Sequence, residues 1–315
     1  KIQSVEEIDV NFVNTNEILN KFKIEKNSNN YNFIGYQIDG EQLVERFLKG
    51  NKTDKIFKLF HNINTSLMLN INKIYLEKDT YLEKFIGEFD IKDSRLFLAK
   101  ADAILDNKKK FSYSYRTTIK NEKITNIFID GPKPFINNYK FIKGFEKGEL
   151  KLNSINIDNV SRSNLKITNF KVKEVPVLAK ILTLASLQGI ADLLTGEGIR
   201  FDEFEMDFKT KNNLIEIDEL YALGPAISIM MEGYIEKDRV TSLRGTLVPA
   251  TTINKTISKI PLLGDILVGS KTGEGVFGVS FKIKGPPNDL KSSVNPIKTL
   301  TPRFITRTLE IIKGN

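Results

Sequence analysis

The stretch FSYSYRTTI, residues 111–119, decides how this chain reads. Phe111, Tyr113, Tyr115, Thr117 and Ile119 occupy alternate positions, with Ser112, Ser114, Arg116 and Thr118 between them. A period of two puts these sets on opposite sides of a strand, one side apolar and one polar. Short polar runs bound it, DNKKK (106–110) before and KNEK (120–123) after. Strand, tight turn and strand again imply an antiparallel meander, because parallel neighbours need a crossover of a dozen residues or more. The pattern recurs in Leu67, Leu69, Ile71; in Phe204, Met206, Phe208; in Ile227, Ile229, Met231; and in Phe277, Val279, Phe281, Ile283. Further turns are TKNN (210–213) and EKDR (236–239).

The alternation repeatedly jumps by three and resumes. It does so from Leu165, Ile167 to Phe170, Val172; from Ile199, Phe201 to Phe204; from Ile215, Ile217 to Leu220, Ala222; and from Ile71 to Ile74, Leu76. One extra residue within a strand is a β-bulge, which returns later side chains to the same face and increases bend and twist. A sheet with many bulges curls. Gly131-Pro132, Gly224-Pro225 and Gly285-Pro286 mark strand ends, since proline cannot donate to the ladder. The fold expected is mainly β: an elongated, curled antiparallel sheet forming an apolar groove, with a few short helices capping or lining it.

Two helices are expected. DGEQLVERFLKG (39–50) puts Leu43, Val44, Phe47 and Leu48 on one face, giving a helix near 40–49. PVLAKILTLASLQGIADLLTG (176–196) gives a longer one over 177–195, with Pro176 at its first position and Gly196 past its end. It is apolar nearly all round, but Lys180, Gln188 and Asp192 interrupt it and Gly189 weakens it, which argues against a membrane span. Burial against the sheet, or across one end of it, is the expected role. Lying on a membrane surface is the alternative.

A chain of 315 residues with 40% hydrophobic content supports an extensive buried surface, in two domains or one elongated one. It begins with Lys1 and carries neither a signal stretch nor a membrane-length apolar run, so it reads as a fragment or processed form. There is no Cys, which excludes disulfides and thiolate metal sites. A net charge of +8 suits an anionic partner, or simply lysines on solvated faces.

Catalytic signals are weak, and neither enzyme activity nor a cofactor is expected. His61 is the sole histidine and has no ligand spacing around it. In FDEFEMDF (201–208), Glu205 and Asp207 alternate with Phe204, Met206 and Phe208, so the carboxylates read as the solvated face of a strand. GSKTGEGVFG (269–278) is glycine-rich but lacks phosphate-loop spacing. The aromatics of NKKKFSYSYR (107–116) share a strand face the fold needs to bury, so no nucleic-acid partner is expected.

From Val175 onward the chain resembles the C-terminal region of the AsmA-like superfamily, especially its YhdP-like members in Gram-negative bacteria. The resemblance rests on LASLQGIADLLTGEGIRFDEFEMDF (184–208), IDELYALGPAISIMMEGYI (217–235), LRGTLVPATTINKTISKIPLLGDILVG (243–269) and GEGVFGVSFKIKGPPNDLKSSVNPIKTLTPRF (273–304). It divides the chain into a repetitive groove-forming β region, 1–174, and an AsmA-like C-terminal region, 175–315. It implies a protein attached to the inner membrane by an N-terminal helix, which this sequence lacks, and crossing the periplasm as a curled sheet. The groove would shelter phospholipid acyl chains on their way to the outer membrane.

The residues expected to line that groove are Leu165, Ile167, Phe170, Val172, Phe204, Met206, Phe208, Ile215, Ile217, Ile227, Ile229, Phe277, Val279, Phe281 and Ile283. SKIPLLGDILVG (258–269) is read as a stopper at the groove's C-terminal mouth, through Ile260, Pro261, Leu262, Leu263, Ile266 and Leu267. The partners implied are phospholipids, the inner membrane, and an outer-membrane or periplasmic protein. The alternative within the superfamily is a periplasmic scaffold or assembly factor for outer-membrane proteins, whose groove would receive a polypeptide.

Overall fold

The computed structural model describes residues 6–41, 64–77, 79–93, 95–106, 108–136, 143–249, 278–287 and 289–297. The helix expected near 40–49, Phe277 and the whole stopper segment 258–269 lie outside the described residues.

The described chain is mainly β. Its strands are β1 (Glu7–Val13), β2 (Leu19–Asn27), β3 (Asn30–Asp39), β4 (Thr65–Glu77), β5 (Thr80–Lys92), β6 (Arg95–Leu105), β7 (Lys109–Thr117) and β8 (Lys123–Asp130). They continue with β9 (Lys143–Ile157), β10 (Val160–Lys173), β11 (Ile199–Lys211), β12 (Leu214–Leu223), β13 (Ile227–Glu236), β14 (Val240–Pro249), β15 (Gly278–Gly285) and β16 (Lys291–Ile297). The strands are hydrogen-bonded in chain order, as expected of a meander.

One pair departs from the expected pattern. β3 and β4 run parallel, with Tyr31 opposite Leu67 and Ile38 opposite Ile74. The connection between them, residues 40–64, is long enough to return the chain to the starting end of β3, which a tight turn cannot do.

Two compact units divide the chain: Lys1–Asn138 with Lys147–Ser161, and Tyr139–Glu146 with Arg162–Asn315. In the first, Ile71, Ile74, Leu76, Leu82, Leu105 and Ile129 form a continuous buried cluster. Gly131, at φ 69°, turns the chain out of β8 into the short helix α1 (Lys133–Ile136). That turn brings the Phe135 ring against Phe111, 5.8 Å between centroids, and Phe135 closes this end of the apolar face.

In the second unit the core is a ladder of rings. Phe145, Phe170 and Phe201 stack in order at 5.4 Å spacing, with Phe145 fully buried. Irregularities fall at two of the apolar jumps of this unit; at the jump from Ile71 to Ile74 in the first unit β4 keeps its register against both neighbours. Asn169 takes φ 54° between Ile167 and Phe170, a left-handed conformation that Asn tolerates. β12 changes register against β13 between Ile217 and Leu220. Because of these offsets, Ile167, Phe170, Val172, Ile217, Leu220 and Ala222 are all buried.

The single helix expected over 177–195 is two: α2 (Pro176–Leu184) and α3 (Gln188–Thr195). Ser186, at φ 59°, ends α2; its amide donates to the Thr183 carbonyl, and that of Leu187 donates back to Leu182 at 2.8 Å. This closure satisfies carbonyls at the helix end and turns the axis. Each helix therefore buries only one stripe, Ile181 and Leu182 from α2, Ala191 and Leu194 from α3, and leaves Leu184 and Leu193 exposed.

α2 also touches β16. It begins just after β10.

Candidate functional site

Strand register shows which side chains share a face, because directly paired residues project to the same side. In the second unit, Phe204 pairs with Ala222, Ala222 with Ile229, Ile229 with Leu247 and Leu247 with Val279. The next row runs Met206, Leu220, Met231, Gly245, Phe281 and Val294. A third runs Phe208, Ile217, Gly233, Leu243 and Ile283. Ile215 belongs to the row beyond, opposite Ile235.

The rows are apolar across five or six strands. Gly245 is required by close approach, because a Cβ there would stand 2.6 Å from the Phe281 ring and 2.3 Å from the Met230 carbonyl oxygen. Its absence lets the ring of Phe281 lie across the ladder.

Leu165 and Ile167 join this face by alternation, since Asn164 and Lys166, which alternate with them, reach carboxylates on the other side. Phe170 and Val172 follow beyond the bulge, and Ile227 sits fully buried at the same end. Phe204, Met206, Phe208, Met231 and Leu243 are only half-buried. By register, the expected lining residues of β11 to β15 that are described share one face; Leu220 and Met231, read as apolar positions but not among the expected lining, share it too, as do Leu243 and Leu247.

The first unit has its own apolar face. Its longest row crosses nine strands: Ile8, Ile24, Phe33, Leu69, Gly87, Ala101, Tyr113, Ile127 and Leu152. Polarity along the strands is graded. Phe111 and Ile129 adjoin the end closed by Phe135, while Tyr115, Thr125 and Ser154 form the row on the far side of Tyr113. Burial pushes the Tyr113 hydroxyl up to about 12, and neighbouring Tyr115 adds to the shift.

The opposite face of the second unit is a polar network rather than the fully solvated row expected from the alternation. Glu203 and Glu205 side chains are only 18% and 20% exposed. Lys166 Nζ stands 2.7 Å from Glu203 Oε1, and Asn164 Nδ2 donates to Glu205 and Asp207 at 2.8 Å each. Tyr221, buried, donates its hydroxyl to Glu205 and lies 3.1 Å from Glu203. Burial and then the bond to Glu205 hold the phenol protonated well above its ordinary range. Tyr221 carries no signal of this role in the sequence, because its pairing with Glu205 depends on register.

Among the described residues, no group of His, Cys, Asp and Glu is arranged to hold a metal ion, and no helix is long and apolar enough to cross a membrane. His61 lies outside them. Comparison of the chain with protein-family models, with curated proteins and with solved structures finds no match.

Proposed function

We propose that the apolar face of the sheet carries phospholipid acyl chains, in a non-enzymatic protein that moves lipid between membranes. The observation that supports this best is the set of apolar rows across five or six strands of the second unit, half-buried at Phe204, Met206 and Phe208. Six strands span about 24 Å, and three rows about 14 Å along the strands. A dozen methylenes moved from water onto such a surface would gain about 10 kcal/mol before ordering costs. A lipid arriving from a bilayer exchanges one apolar environment for another, so its net change is small. That balance suits transfer in either direction and needs no catalytic group. On the AsmA-like resemblance, the setting is the periplasm, with attachment to the inner membrane and delivery toward the outer membrane.

The test is to purify the chain from a Gram-negative host without detergent, extract it with organic solvent and identify retained lipids by mass spectrometry. Phospholipid at a reproducible ratio to protein is expected. Absence of lipid, with a bound polypeptide in its place, would overturn the reading in favour of an assembly scaffold.

A further inference from the structure

The face of the first unit opposite its apolar rows holds a concavity of about 370 Å3 over β6 to β9. It lies at the lower end of the size range for small-ligand sites. Two cross-strand rows build it. Lys100 pairs with Ser114, Ser114 with Asn126 and Asn126 with Asn153; beside them Asp102 pairs with Ser112, Ser112 with Phe128 and Phe128 with Lys151. The dip has a simple cause: Ser112 and Ser114 are small, and the long side chains of Lys100 and Lys151 stand at opposite corners. A second hollow of about 260 Å3 adjoins it, sharing Lys100, Ser114 and Asn126 and adding Arg116.

Charge and hydrogen-bond direction point to the ligand class. Lys100 and Arg116 make no ion pair among the described residues, and Lys151 Nζ rests 5.8 Å from the Phe128 ring centroid rather than on a carboxylate. Asn126 Nδ2 donates to Ser114 Oγ at 3.2 Å, which leaves the Ser114 O–H free to donate into the hollow. Two cations in the hollow, a third in the one beside it, and outward donors suit a phosphate group. Asp102, the one carboxylate lining the hollow, would repel a bare anion but accept from a hydroxyl carried beside it.

We propose that this hollow binds a phosphate group borne on a small hydroxylated body, with glycerol phosphate as the simplest example. The assignment is independent of the lipid-carrying reading, since it uses the other face. Glycerol phosphate is the polar part of phosphatidylglycerol and also a soluble metabolite class, so the experiment has two arms. Phosphorus NMR follows glycerol 3-phosphate and inorganic phosphate titrated against the purified chain. Flotation compares vesicles of phosphatidylglycerol with vesicles of phosphatidylcholine.

Saturable binding of glycerol 3-phosphate below about 10 mM, tighter than inorganic phosphate, is expected. Lys100→Met with Lys151→Met should weaken it about tenfold, while Lys171→Met with Lys282→Met, the same charge change elsewhere, should not. Binding of the soluble ligand alone identifies a soluble source; added retention on phosphatidylglycerol vesicles, lost in the same double variant, identifies a headgroup. No saturable binding in either arm, or equal weakening by the two double variants, overturns the proposal.

Discussion

Met206→Asp is the sharpest perturbation of the apolar face. Met206 lies between Phe204 and Phe208 along β11 and opposite Leu220 on β12, in the row that continues to Met231 and Phe281. It is half-buried, so replacing it costs the folded chain about 1 kcal/mol of lost apolar burial, and the carboxylate can still reach water. An acyl chain laid over that position removes the water. Three methylenes would gain about 2.4 kcal/mol, whereas burying the unpaired carboxylate costs several kcal/mol. Lipid retention should therefore fall at least tenfold, a difference of about 1.4 kcal/mol.

Two controls separate this from damage to the fold. Met206→Leu keeps the volume and should retain lipid. Glu216→Lys, exposed and opposite Lys209 on the other face, should also retain it. The assay is the lipid-to-protein ratio of detergent-free preparations, with circular dichroism melts to match folding. Retention should recover in Met206→Asp near pH 4, about where an aspartate takes up its proton. Equal ratios for all three variants at neutral pH would refute the reasoning.

Three further outcomes follow from the structure. Phe170→Ala removes the middle ring of the Phe145–Phe170–Phe201 ladder and should cost about 3–5 kcal/mol in urea unfolding; Phe170→Leu should cost much less, and equal midpoints would exclude the ladder from the core. The folded-state value of Tyr113 is raised, so its contribution is complete below about pH 10, where both states are protonated, and is lost as the unfolded chain ionises first between about 10 and 12. Stability should drop by up to about 2–3 kcal/mol across that window, and Tyr113→Phe should remove part of the slope; an unchanged slope counts against the burial of this hydroxyl. Ser186→Gly relieves a left-handed residue at the α2 end and should stabilise by about 0.5–1 kcal/mol, read as a higher melting temperature; a lower one would mean the Ser186 side chain contributes to the turn.

Alternation and turn chemistry made the strands legible. Residues 111–117 of FSYSYRTTI read directly as β7, while Ile119, expected on its apolar face, lies in the turn beyond and is fully exposed; Gly131-Pro132, Gly224-Pro225 and Gly285-Pro286 do mark the ends of β8, β12 and β15. The jumps of three were a partial guide to bulges: they marked Asn169 and the shift between Ile217 and Leu220, but Ile71 and Ile74 stand in unshifted register and the shifts at Tyr75/Glu77 and Glu83/Ile86 left no such trace. The meander order was legible from the short turns, but relations set by long connections or by register were not. The parallel pairing of β3 with β4 depends on where a 25-residue connection (40–64) delivers the chain, and nothing local to either strand encodes that. Ser186 did not announce a helix break, since serine is an ordinary helix residue until its φ is seen to be positive. The carboxylates of β11 were assigned to the correct face but to water, because Tyr221 and Lys166, which shield and pair them, come from two other strands.

The two faces of the sheet are opposed residue by residue, and that opposition keeps the two proposals separate. On β7, Tyr113 faces Ala101 and Ile127 in the apolar row, while its neighbours Ser112 and Ser114 floor the hollow on the other side. A change at Ser114 that leaves the backbone in place leaves the apolar row intact, and a change confined to the Tyr113 side chain leaves Ser112 and Ser114 in the hollow. Backbone changes have no such privacy: a one-residue slip of β7 would exchange the two sets and present serines to the apolar row. The bulky apolar side is thus what fixes the register, and the fixed register is what holds Ser112, Ser114, Lys100 and Lys151 in one concavity. Loss of the hollow's binding in a variant such as Ala101→Asp, which changes only the apolar side, would therefore report a slipped or loosened ladder, whereas loss in Lys100→Met with an unaltered melt would report the site itself.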